Sequence, residues 1–188
     1  MNNFLPKDDL YFKEVFSKIS NENFSDYIKK ISRLIYNNEL GNDSVEKVLN
    51  EHNIIQLEDI KEEILDLMLA YINIVLDDNI ITENEARNVK LLKKFFKVKE
   101  GDFYNYRHKQ IESILNKQFE RIYADNQIDT EEALHKVGLQ ELFDLSYDQF
   151  LNLIDKEVKA ALQRGADPNE LDTVIIEIYQ SKKQSSQG

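Results

Sequence analysis

Apolar residues recur at helical spacing almost from one end of the chain to the other. Leu10, Tyr11, Val15, Phe16 and Ile19 form a first stripe, and Phe24, Tyr27, Ile28, Ile31, Leu34 and Ile35 form a second. Asn37 to Gly41 reads as a turn, because Asn and Gly tolerate the left-handed backbone conformation. A short helix from Asp43 carries Val45, Val48 and Leu49. Ile60, Ile64, Leu67, Met68, Tyr71, Ile72 and Val75 follow, with Leu65, Leu69, Ile74 and Leu76 on the remaining faces. A helix apolar nearly all round is expected to be central and buried. The next helix spans Thr82 to about Lys97, and Gly101-Asp102 turns the chain into one bearing Phe103, Tyr106, Ile111, Ile114, Leu115, Phe119 and Ile122.

A further helix from Asp129 carries Leu134, Val137, Leu142 and Phe143, with Gly138 as an early stop. Ser146-x-x-Gln149 is a helix-start signal for Phe150, Leu153, Ile154, Val158 and Leu162. Arg164-Gly165 closes that helix, and Asp167-Pro168 opens a last one with Leu171, Val174, Ile175 and Ile178. No run alternates as a strand would. The expectation is an all-α fold, a compact bundle of about eight or nine helices.

One stretch occurs twice. Ala124 to Glu132 reads A-D-N-Q-I-D-T-E-E, and Asp78 to Glu85 reads D-N-I-I-T-E-N-E. A shift of 47 superposes Asp78 on Asp125, Glu85 on Glu132, Leu92 on Leu139, Phe96 on Phe143 and Phe103 on Phe150. A fainter copy precedes them at a shift of 41, pairing Asn37-Asn38 with Asp78-Asn79 and Ile54-Ile55-x-Leu57 with Phe95-Phe96-x-Val98. It lacks the acidic residues. Each motif joins two helices: Asp-Asn suits a tight turn with positive φ at Asn79 and Asn126, and Ile81 and Ile128 point back to the core. Thr82-x-x-Glu85 reads as a capping box, with Asp129-x-x-Glu132 its analogue. The other account of the same residues is a divalent-cation site, since calcium takes several oxygen ligands. An EF-hand is excluded: its first two ligand positions would be Arg121 and Tyr123 in one copy, and Ile74 and Leu76 in the other.

The doubled motif resembles the hallmark of the TerB-like family, the tellurite-resistance helical domain also found at the N-terminus of DjlA co-chaperones. Ala124-Asp125-Asn126-Gln127-Ile128-Asp129-Thr130-Glu131-Glu132 carries the likeness, with Leu142-Phe143-x-Leu145-Ser146 and Phe150 after it. Asn79 and Asn126 stand where the family has glycine. The resemblance implies a helical core over residues 60–163. An N-terminal helical extension (1–59), a C-terminal helix (164–180) and a disordered tail (181–188) would surround it. It also implies Asp78, Glu85, Asp125, Asp129 and Glu132 as cation ligands, and a place in stress responses and membrane-linked complexes.

Composition narrows the partners. The net charge of -11 disfavours nucleic-acid backbones and favours basic partners or cations. A chain of 188 residues can bury about 70% of its unfolded surface without staples. It has no cysteine, so no disulfide, thiolate zinc site or thiol nucleophile. No signal peptide or spanning segment is legible, which points to a cytoplasmic protein. His52, His108 and His135 form no helical pair for zinc. No Gly-rich phosphate loop or nucleophile elbow occurs.

Arg87, Lys90, Lys93, Lys94 and Lys97 share one broad helix face. That stripe suits an acidic partner, a phosphate or peripheral membrane contact, and equally suits a solvated face balanced by nearby acids. Three functions are carried forward. The leading one is a non-catalytic protein-interaction module of a bacterial stress or defence system, with no cofactor beyond a divalent cation such as calcium. The alternative is an acidic immunity or inhibitor protein that neutralises a basic toxin. The third is a carboxylate enzyme.

Overall fold

The computed structural model describes residues 10–19, 23–78, 80–122, 124 and 130–166. These form an all-α structure of eight α-helices with no strand among the described residues. The helices are α1 (Leu10–Ile19), α2 (Asp26–Tyr36), α3 (Asn42–Glu51), α4 (Lys61–Val75), α5 (Glu83–Phe95), α6 (Asp102–Ile122), α7 (Thr130–Leu142) and α8 (Tyr147–Gln163). Single 3-10 turns at Leu57–Ile60 and Leu76–Asp78 flank α4. The expected last helix after Asp167-Pro168 lies outside the described residues.

The chain divides into two compact units, Met1–Asp102 and Phe103–Gly188. In the first, α4 packs against α1, α2 and α5, and α2 packs against α3. Tyr71 of α4 stacks on Phe16 at 5.2 Å and meets the edge of Phe12 at 5.3 Å, all three fully buried. Phe12 adds to the expected stripe, and Ser32 of α2 donates to the Phe16 carbonyl of α1. In the second unit Phe103 meets Phe143, and Phe119 meets Phe150, edge to face. His135 and Gln118, both buried, hydrogen-bond at 3.1 Å.

One device ends five of the helices. An α-helix leaves its last carbonyls without partners, and a left-handed residue just past the end folds the next two N–H groups back onto them. Asn38, Asn53, Lys97, Asp144 and Gly165 take that conformation, with φ of 58, 57, 55, 50 and 97°. At each, two backbone bonds close the end. For α5 they are Lys97 N–H to Lys94 C=O and Val98 N–H to Lys93 C=O, and for α7 Asp144 N–H to Glu141 C=O and Leu145 N–H to Gln140 C=O.

The repeat is therefore larger than its motif. A shift of 47 carries α5 (Glu83–Phe95) onto α7 (Thr130–Leu142), Lys97 onto Asp144, and the end of α4 at Val75 onto the end of α6 at Ile122. It also carries Ile60, at φ -119° and ψ 20°, onto Arg107, a non-helical residue inside α6 at φ -135° and ψ 30°. The kink in α6 is thus the counterpart of the joint between the 3-10 turn and α4.

Several expectations are corrected. The third copy keeps the shift of 41 only at its start, where Gly41 matches Thr82 as N-cap. Its end aligns at 44, Asn53 with Lys97, because α3 has 10 residues and α5 has 13. Ile55 is accordingly 91% exposed, whereas Phe96, its expected counterpart, is 5% exposed. Gly138 does not stop α7, which continues to Leu142. A helical glycine costs only about 1 kcal/mol, and the stop comes at Asp144 instead. Val137 and Tyr106 face solvent rather than the core, and Ile81 is only half-buried.

A side chain with a Cβ pays to sit in the left-handed region, and Gly does not. Asp144→Gly is expected to stabilise the chain by about 1 kcal/mol, read as a higher urea midpoint. Gly165→Ala should shift the midpoint the other way.

Candidate functional site

The two acidic motifs and the basic face of α5 are the residues to which the sequence assigns chemistry. In the first motif Asp77 and Asp78 sit exposed on the 3-10 turn that ends α4. Asp78 Oδ1 accepts from the Ile80 N–H at 3.1 Å, closing a local turn of the kind Asp favours. Glu85 is 6% exposed. Its Oε2 accepts from the Thr82 N–H at 2.9 Å and from the Thr82 hydroxyl at 2.7 Å, while Thr82 Oγ1 accepts from the Glu85 N–H at 3.3 Å. The capping box is complete, and it occupies the carboxylate that a cation would need. Asp78 and Glu85 are thus engaged in different parts of the turn. Among the described residues no three Asp, Glu or His side chains are gathered as an ion site. Asp125, Asp129 and Asn126 lie outside the described residues, as do Asn79 and the side chain of Glu132.

The same reciprocal device starts other helices. Ser146 and Gln149 exchange bonds at the head of α8, as their spacing indicated. Two acids elsewhere accept from the backbone N–H three residues before them. Asp59 Oδ2 accepts from the Gln56 N–H at 3.3 Å. Asp102, 7% exposed, accepts from the Lys99 N–H at 2.8 Å and from Lys61 Nζ at 3.1 Å. The signal was present as an acid three residues after a polar one, without the Ser or Thr that marks the usual box.

The basic face is well displayed. Arg87, Lys90, Lys94 and Lys97 are exposed and Lys93 is half-buried. The opposite face buries Glu85, Asn88, Val89, Leu92 and Phe95. Arg87 Nη2 donates to Asn84 Oδ1 at 2.8 Å. Among the described residues Lys90, Lys94 and Lys97 pair with no carboxylate. Elsewhere lysines do pair: Lys30 with Glu51 at 2.9 Å, Lys61 with Asp102, and Lys159 with Asp155. The Lys30 ammonium lowers the pKa of the Glu51 carboxyl, first through their hydrogen bond.

An open depression of about 430 Å³ runs along α6, lined by Lys109, Glu112, Ser113, Asn116, Lys117 and Glu120. It holds no residue of either motif. Tyr27 of α2 donates to Glu63 of α4 at 2.5 Å. Burial first, and then that bond, raise the pKa of its hydroxyl above the usual tyrosine value.

No family model matches the chain, and no curated protein or solved structure matches it at a significant level.

Thr82→Ala removes one half of the capping box and is expected to cost about 1 kcal/mol in a urea melt, with Glu85→Gln milder than Glu85→Ala. Tyr27 makes stability depend on alkaline pH. Its folded-state pKa is raised, so its contribution is fully present below about pH 10 and disappears as pH rises through the higher folded value. Tyr27→Phe should flatten the fall in urea midpoint above pH 10.

Proposed function

We propose that the chain is a non-catalytic protein-interaction module of a bacterial stress or defence system. The observation that carries this reading is the exposed basic face of α5, set on a helix fixed at both ends by its capping box and by Lys97. Such a helix presents its charges on a backbone that needs no ordering, which favours binding. The TerB-like resemblance of the doubled motif supports the same reading, since it implies a part in stress responses and membrane-linked complexes. No described helix is long and apolar enough to cross a membrane, so any membrane contact would be peripheral.

A cation remains part of the proposal through the second motif. Asp129 there offers a carboxylate where the first motif has Thr82, and Glu132 follows it three residues on. Calorimetric titration with calcium is expected to give saturable heat that disappears in Asp125→Ala with Glu132→Ala. No heat from the intact chain removes the cation and leaves a cap.

The net charge of -11 favours a second reading, an immunity or inhibitor protein that covers a basic toxin. Affinity capture of the intact chain under native expression separates the readings. The module reading expects one stoichiometric protein partner at physiological salt. A basic partner, lost when surface carboxylates rather than the α5 lysines are neutralised, supports the immunity reading. Recovery of the chain alone contradicts both.

A further inference from the structure

We infer that the outer face of α5 docks an acidic helix of a partner protein; this rests on the interaction-module reading and adds the surface and the chemistry it fits. At 100° per residue, Arg87, Lys90, Lys93 and Lys94 fall within about 120° of arc, opposite the buried side, in a row of about 10 Å along the helix, and Lys97 follows just past its end.

The row is not explained by helix stability. Basic residues in the last turn complement the helix dipole, which accounts for Lys93 and Lys94. Arg87 has Glu83 four residues before it, a spacing that stabilises a helix, whereas Lys90 lies before the last turn with no acid three or four residues to either side. Lys90 and Lys94 are like charges four apart, a spacing that destabilises a helix. Lys97 also occupies the left-handed position, which Gly or Asn fills at less cost. Among the described residues no carboxylate offsets Lys90, Lys94 or Lys97. A local cost without an internal offset marks a surface made for something outside the chain.

The charge pattern selects the occupant. Glu83 is exposed on the same face one turn before Arg87, with Asp77 and Asp78 exposed just ahead of it. A flat anionic membrane would meet these acids together with the lysines, as would a continuous nucleic-acid backbone, against a net charge of -11. The face also exposes no large apolar side chain to insert between lipids: Leu91 is half-buried and Ala86 is small. Discrete carboxylates on a helix, three and four residues apart, match the row from Arg87 to Lys97 and end before Glu83.

The test uses the full chain and two fluorescent alanine-rich peptides of identical composition. One carries its glutamates along a single helical face; the other has them scattered around the helix. Binding is read by anisotropy at low and physiological salt, beside vesicles containing phosphatidylserine. The striped peptide is expected to bind at least tenfold more tightly than the scattered one. The combined variant Lys90→Gln, Lys94→Gln, Lys97→Gln should weaken it at least tenfold, with unchanged circular dichroism. Replacement of the same three lysines by Arg should retain binding. Equal binding of the two peptides, no binding of either, or preference for the vesicles overturns the inference. Retention of the captured native partner by the Gln variant also overturns it and leaves the module reading intact. Absence of any partner for the intact chain instead overturns the module reading.

Discussion

The unpaired carbonyls at the end of each helix are the constraint on which this architecture depends. A chain with five glycines and two prolines has few residues that break helices by themselves. It nevertheless turns sharply after α2, α3, α5, α7 and α8, and each time by the same means. A left-handed residue returns two N–H groups to the last turn. An apolar residue one or two positions further on is buried at three of these ends: Leu40 after Asn38, Leu145 after Asp144 and Ala166 after Gly165. Helix ends thus do the work usually assigned to loops, and the connections stay only a few residues long.

The starts obey the complementary rule. Thr82 with Glu85, Ser146 with Gln149 and Gln56 with Asp59 each bring a side chain at the third helical position onto the N–H of the cap residue, and Asp102, the first residue of α6, accepts from the Lys99 N–H in the turn before it. Starts and ends recur together, which explains why one shift of 47 aligns helix boundaries as well as the motif. It also explains the kink at Arg107. The repeat places a helix start there, and α6 retains the backbone angles of that start while continuing through it.

Much of this was legible. The helical periodicity, the central α4, and the boxes at Thr82 and Ser146 follow from residues whose propensities agree with their roles. The turns at Asn38 and Gly101 are equally plain, since both residues accept positive φ. Lys97 and Asp144 were not legible, because neither residue favours the conformation it adopts. The backbone bonds that close each helix end hold it, beside the buried Phe96 and Phe143. Gly138 misled for the converse reason: a weak helix residue is held in α7 by its neighbours' packing. At the site, the role of Glu85 as a cap was readable from its spacing to Thr82. The exposure of the lysines was readable too, but that Lys90, Lys94 and Lys97 meet no carboxylate among the described residues depends on which helices pack nearby, and no local pattern encodes that.

If one constraint on helix ends builds the whole chain, its signature must be present in solution at every such end. Backbone chemical shifts and three-bond amide–Hα couplings at Asn38, Asn53, Lys97, Asp144 and Gly165 measure it most directly. The account predicts positive φ at all five, with slowed amide exchange for the returning N–H groups, including Val98 and Leu145. Right-handed backbone at Lys97 and Asp144, with fast exchange at the residues after them, would contradict it.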